Sequence, residues 1–347
     1  MPRVRVSVWA GLLLALALAF VLELSVGSVL IPFESVLSIL LGYGDPPEGW
    51  RQIVLIFRLP RALAAMLGGA ALGMAGLKMQ TLFRNPLADP FVLGISSGAS
   101  LGVAVMVMAV WGAGWPGLLK KAGILGDLSL VLSATLGAMG VLAVILGVAR
   151  RVESNLTLLI VGIMFGYMSG ALVSILMQFT HEQQIRAFIS WTFGSFGGVT
   201  WRQMPLYAAT LLSGLVLGWA LSKPLNGLLL GEGYARSMGI DVRRTRFWII
   251  FGGALLAGTV TATCGPIGFL GIAIPHLCRL IMRTSDHHVL APGVILLGAT
   301  LALSADLMSQ VPGTKIVLPL NAVTALMGAP VVVGILVRRN RAMEVAA

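Results

Sequence analysis

Ionisable side chains are scarce in this 347-residue chain, so those that fall inside apolar runs are the first candidates for chemistry. Glu23, His276 and Asp306 are such residues. A charge in hydrocarbon is costly, and such groups sit against protein or line a water-filled cavity. An ion-coupled carrier would need them to face one another in mid-membrane. Glu23 lies within reach of an interface, and Asp306 falls near the outer end of its run. His276 follows Pro275 and can bond a carbonyl that the proline frees. Structural roles are the plainer reading of all three. An autonomous ion-coupled secondary transporter working through Glu23 and Asp306 is the alternative.

Other chemistries lack their residues. There is no G-x-x-x-x-G-K-[ST] phosphate loop and no Gly-Lys pair, so ATP is not expected to bind here in that way. There is no H-E-x-x-H and no cysteine–histidine metal spacing. Asp286-His287-His288 reads as a polar turn in preference to a metal site. Cys264 and Cys278 make no disulfide framework and read as two small buried side chains. No catalytic constellation is found, and neither a metal nor a cofactor is expected on this chain.

The elements that position these residues follow from composition. The chain is 57% hydrophobic and 11% charged, about half the charge of a soluble protein. Apolar runs of eighteen or more residues follow one another, each long enough to span as a helix. They are continuous rather than alternating, which excludes a barrel. The fold class is therefore an all-α polytopic membrane protein. The net charge of +11 does not mark a nucleic-acid binder, because the arginines lie at the ends of apolar runs. The first apolar run is too long for a signal peptide and is read as the first span.

Spans are expected at 7–30, 60–82, 91–111, 128–149, 156–179, 203–222, 247–264, 267–283, 289–308 and 317–337, in one transmembrane domain over 1–347. The doubtful break is "TCGPIGF", residues 263–269, where Gly265 and Pro266 either end a helix or kink it. With ten spans and a cytoplasmic N-terminus, sixteen Lys/Arg fall inside and eight outside. With a kink instead, the count is twelve against twelve. The positive-inside rule favours ten spans with both termini in the cytoplasm. "IPFESVLSILLGYG" and "QIRAFISWTFGSFGG" are too short to cross and fit helices lying on or dipping into the outer face. "GGAALGMAG", residues 68–76, spaces small residues so that helix backbones can touch.

Two connecting segments stand out. "MQTLFRNPLADPFVLGISSGASLG", residues 79–102, carries Pro86 and Pro90, which forbid a continuous helix through the loop. It reads as a tight loop or as a constriction on a transport path. Residues 223–246 hold seven of the chain's 37 charges and are punctuated by Gly231, Gly233 and Gly239. So charged a stretch in so apolar a chain suits a surface meant for another protein.

"RLPRALAAMLGGAALGMAGLKMQTLFRNPLADPFVLGISSGASLG" resembles the signature of one permease family, the membrane subunits of type II ABC importers for ferric siderophores, haem and cobalamin. "FGSFGGVTWRQ", "GPIGFLGIAIPHLCRL" and "LNAVTALMGAP" resemble further blocks of that family in order. The likeness runs from about residue 58 to 337. It implies ten spans per subunit, a homodimer with a path between subunits, and a bacterial inner-membrane location. It also implies two cytoplasmic ATPase subunits, which would carry ATP and Mg, and a periplasmic or lipid-anchored binding protein.

The resemblance assigns roles residue by residue. Residues 223–246 match the cytoplasmic coupling segment, with Gly231, Glu232, Tyr234, Ala235, Arg236, Met238 and Gly239 at its core. Arg58 and Arg61 match basic residues that meet the binding protein. A further docking cation is expected after span nine, where this chain has Gln310 and, a little later, Lys315. Asn85 and Leu87 match one loop of the cytoplasmic gate, and Ser154 and Asn155 loosely match the other. Met164, Phe165 and Met168, in an apolar run that also holds Met177, would line the path. An iron chelate or haem is favoured over cobalamin as cargo only because such permeases are commoner in the family.

Overall fold

The computed structural model describes residues 6–110, 127–149, 151–152, 154–311, 313–314 and 316–344. Lipid offers the backbone no hydrogen bonds, so apolar runs must close their own as helices. In chain order these are α1 (Val6–Ser25), α2 (Phe33–Leu41), α3 (Glu48–Gln52), α4 (Leu59–Leu82) and α5 (Ile95–Ala104). They continue as α6 (Asp127–Ala149), α7 (Asn155–Gln178), α8 (Glu182–Thr192), α9 (Met204–Ala220) and α10 (Ser222–Leu229). The last five are α11 (Glu232–Ser237), α12 (Val242–Cys264), α13 (Leu270–Met282), α14 (His287–Ser309) and α15 (Leu320–Glu344). An isolated antiparallel bridge, Gln310 to Val317, is the only strand-like pairing among the described residues.

Among the described residues, six helices are long and apolar enough to cross a membrane: Val6–Ser25, Glu48–Leu82, Ser129–Ala149, Leu156–Gln178, Val242–Cys264 and His287–Ser309. A seventh follows if α9 and α10, bent by 50°, form one span. Three shorter apolar helices are Ile95–Met108, Leu270–Met282 and Leu320–Gly334. A ten-span topology requires all of these to cross. The two apolar pieces expected to be too short to cross carry α2 and α8.

Helix α4 is the centre of the bundle and packs on α9, α12, α13 and α14. Every residue from Gly68 to Leu82 is buried. Between apolar helices in lipid, contact rather than hydrophobic expulsion drives association, and small residues allow it. A Cβ added at Gly69 would lie 2.2 Å from the Gly298 carbonyl oxygen and 2.4 Å from the Ala302 Cβ. The small-residue run thus places the α4 backbone against that of α14.

The charge count favours a helix that ends at residues 263–269 over one that only kinks there. The chain leaves the helix after Cys264 and resumes one at Leu270. Gly265 and Phe269 have φ of 76° and 67°, outside the range a helix allows. The freed backbone is satisfied from two other segments. Ser195 N–H donates to the Cys264 carbonyl at 2.7 Å, and Gly268 N–H donates to Asn321 Oδ1 at 3.1 Å. Asn321 N–H donates in turn to the Phe193 carbonyl at 3.0 Å. Three motif blocks far apart in sequence therefore close one knot.

Candidate functional site

The charged segment folds as two short helices, α10 and α11, joined at Gly231. Glycine is required there, because φ is 116°, a conformation that side chains rarely adopt. Gly239, at φ 78°, ends the segment in the same way. Ala235 is fully buried and faces Gly227 and Ile240, which pins α11 against α10. Leu225 and Leu228 anchor α10 inward. The outward side carries Leu230, Tyr234 and Met238, each more than half exposed, beside the exposed Arg236. An apolar and basic face on a two-helix element can seat in a groove of a partner.

The segment is also tied to both loops assigned to a gate. Arg84, in the loop after α4, donates to the Leu229 carbonyl at 3.2 Å. In that loop Leu87 N–H donates to Asn85 Oδ1 at 3.0 Å, and Asn85 is exposed while Leu87 is half-buried. Asp89 accepts from Phe91 N–H at 2.9 Å, and burial pushes its carboxyl up to about 6 despite that bond. On the other side, Arg246 of α12 donates to Glu232 Oε1 at 3.0 Å and to the Val152 carbonyl at 3.2 Å. Val152 precedes Ser154, whose hydroxyl caps α7 by accepting from Thr157 N–H at 3.3 Å. The side chain of Asn155 lies outside the described residues.

One connection was missed in the sequence. Asp286-His287-His288 is not merely a solvated turn. Asp286 caps α14, and His287 is only 1% exposed. The ring of His287 meets Thr81 Oγ1 and Asn226 Oδ1, each at 2.8 Å. Its backbone N–H also donates to Asn226 Oδ1 at 2.8 Å, and Asn226 Nδ2 donates to Asp286 Oδ1 at 2.7 Å. The Asn226 bond, with help from His288 N–H, holds the Asp286 carboxyl below the usual carboxylate range. Thr81, Asn226 and His287 thus lock α4, α10 and α14 together. Polar residues at three distant positions give no periodic signal of such a lock.

At the opposite end of the bundle the ionisable residues converge. Arg61 donates from Nε and Nη2 to the two carboxylate oxygens of Asp306, at 2.6 and 2.8 Å. Glu23 Oε1 is 3.9 Å from Arg61 Nε and accepts from Gln310 Nε2. Arg58 is buried and donates to the carbonyls of Leu24 and Val29. Both arginines expected on the docking surface therefore have their guanidiniums bonded inside the chain, and Lys315 lies outside the described residues. A cleft of about 230 Å³ opens over the cluster between Ser28, Arg61, Gln310 and Thr314. His276 stands apart, half-buried on α13. Cys264 and Cys278 are buried free thiols. No group of three or more His, Cys, Asp or Glu among the described residues could hold a metal ion.

Along α7, Met164, Tyr167 and Met168 are half or more exposed, and Phe165 is half-buried. These residues form an apolar stripe that the described residues leave largely uncovered.

A many-spanning helical bundle whose charged two-helix segment is bonded to two loops fits the membrane component of a transporter. The comparisons agree. The chain belongs to the FecCD transport family, whose model matches residues 13–338. It is 38% identical over 300 residues to the vitamin B12 import system permease protein BtuC of Klebsiella pneumoniae, covering 84% of this chain and 86% of that one. It is 34% identical over 337 residues to the uncharacterized ABC transporter permease protein YvrB of Bacillus subtilis, covering 94% and 92%. Among solved structures it resembles an inward-facing ABC transporter described as of the metal-chelate type. The TM-score is 0.80 at 29% identity, over 95% of this chain and 98% of that one. The protein is a multi-pass ABC importer permease, a transport component whose ATP hydrolysis belongs to separate subunits. The ion-coupled carrier is not favoured.

Proposed function

We propose that two copies of this chain form a path for a bulky metal chelate, a corrinoid or a ferric chelate, across the inner membrane. Ten spans place both termini and residues 223–246 in the cytoplasm, where two ATPase subunits seat on Tyr234, Arg236 and Met238. A substrate-binding protein docks at the outer end. Arg58 and Arg61 contribute there with their charge and with the loops they hold, alongside Lys315. The exposed α7 stripe of Met164 and Met168, with Phe165 behind it, lines the path.

The observation that carries this reading is the wiring of the coupling segment. Arg84 and Arg246 join α10 and α11 to the loops holding Asn85, Leu87 and Ser154. Movement of α11 is thereby transmitted to both sides of a cytoplasmic gate. The test is ATP-driven uptake into proteoliposomes holding the permease, its ATPase and its binding protein. Labelled cobalamin, haem and a ferric siderophore are offered separately. Uptake of one of them that needs ATP supports the proposal. ATP-independent uptake driven by an ion gradient would overturn it.

A further inference from the structure

Beside the coupling segment lies a feature that the transport reading does not use. A cleft of about 530 Å³ opens between the C-terminal end of α6 and the N-terminal end of α12. One wall is apolar: Leu146, Ala149, Phe247 and Trp248. The other carries Arg243, Arg244 and Arg246 around the carboxylate of Asp241, with Glu232 paired to Arg246 at 3.0 Å. Asp241 is already engaged, accepting from Arg244 N–H at 3.0 Å. Arg246 is 6% exposed, and its Nε, buried in this wall, has no hydrogen-bond partner among the described residues. Arg244 is exposed and Trp248 is 37% exposed.

We infer that this cleft binds an anionic phospholipid of the cytoplasmic leaflet, its phosphate on Arg244 and Arg246 and its acyl chain along Leu146, Phe247 and Trp248. The inference rests on this end of the bundle facing the cytoplasm. A free anion would use the arginines but leave the apolar wall uncovered. An acidic protein surface would fit the arginines but not a wall built from membrane helices near their ends. Basic pockets between transmembrane helices on the cytoplasmic side recruit anionic headgroups through this combination, and tryptophan favours the same depth. Arg246 also holds Glu232 of α11 and the Val152 carbonyl. A lipid phosphate on Arg244, beside that bridge, would therefore stiffen the joint between the coupling helix and a gate loop.

The test uses the full chain in detergent, titrated with palmitoyl-oleoyl phosphatidylglycerol, the matching phosphatidylcholine and inorganic phosphate, with binding read by native mass spectrometry. Phosphatidylglycerol is expected to bind about tenfold tighter than phosphatidylcholine, from roughly one factor of five for each of two arginines less the cost of ordering. Arg244→Gln, at an exposed side chain, weakens phosphatidylglycerol about fivefold and leaves phosphatidylcholine unchanged. Trp248→Ala weakens both lipids. A photoreactive phosphatidylglycerol labels peptides spanning 241–248. Equal binding of the two lipids, or an unchanged affinity in Arg244→Gln, overturns the inference. So does inorganic phosphate displacing the lipid at matched concentration, which makes the cleft a free-anion site, or displacement by the ATPase, which makes it a protein contact. ATPase co-purification is measured on the same preparations. If it persists while the lipid result fails, the lipid site is wrong and the importer reading stands.

Discussion

Replacing Asp306 by asparagine separates a structural charge cluster from an ion-coupling site. Asp306 is fully buried and takes both donors of Arg61 at 2.6 and 2.8 Å. Removing one partner of a buried ion pair costs about 3–5 kcal/mol, because a charge is left uncompensated. Here Arg61 keeps 18% of its side chain exposed, so water can screen the guanidinium left behind. The expected cost of Asp306→Asn is therefore at the lower end, about 3 kcal/mol. Glu23→Gln removes the more distant partner and keeps the acceptor for Gln310, so about 1 kcal/mol is expected. Reversible unfolding of the purified chain in mixed micelles measures both. Transport per folded molecule, with and without a proton gradient, is measured alongside. The expected outcome is a less stable Asp306→Asn protein whose remaining folded molecules transport normally and ignore the gradient. Two results would refute the reasoning: Glu23→Gln costing more than Asp306→Asn, or either variant folding as the parent does but failing to transport.

Three further outcomes follow from other contacts. Gly69→Ala sets a Cβ 2.2 Å from the Gly298 carbonyl and should cost about 3 kcal/mol, whereas Gly11→Ala meets nothing within 4 Å and should cost nothing. Equal unfolding midpoints for the two would contradict the α4–α14 packing. Arg84→Ala removes a single bond to the Leu229 carbonyl, so stability should change by less than about 1 kcal/mol. Cargo moved per ATP hydrolysed should nonetheless fall severalfold, and an unchanged ratio would remove Arg84 from the transmission. The third concerns Asp89, in the loop between α4 and α5, with a carboxyl raised from 3.8 to about 6 by burial. A carboxyl raised on folding binds its proton more tightly in the folded state, so the ionised form destabilises as pH climbs from about 4 to 6 and fully above that. Asp89→Asn keeps an acceptor for Phe91 N–H and should be more stable than the parent at pH 7.5, on the order of 2 kcal/mol. That gain should vanish below about pH 4, and a pH-independent difference would contradict the burial.

Much of the architecture was legible because lipid leaves the backbone so few options. Unbroken apolar runs forced helices, and the glycines around residues 231–239 marked a turn that only they can make. The motif blocks pointed to the family before any geometry was known. What stayed hidden depends on contacts between distant segments. Asp286-His287-His288 looked like a turn because nothing in its neighbourhood announces Thr81 and Asn226. Arg58 and Arg61 matched docking cations, and nothing near them announced their acceptors, the Leu24 carbonyl and the Asp306 carboxylate, 34 and 245 residues away. The seven charges of residues 223–246 were visible, but not that Arg246 faces inward to Glu232.

The central claim is that residues 223–246 couple this permease to an ATPase, and one measurement bears on it most directly. The native chain and a chain with residues 231–241 replaced by a Gly/Ser linker are purified from detergent extracts of cells that also make the partner ATPase. The ATPase should co-purify with the native chain and be lost from the replacement, while both chains elute as the same folded species. Equal recovery of the ATPase with both chains, or purification of the native chain without an ATPase but still able to transport, would contradict it.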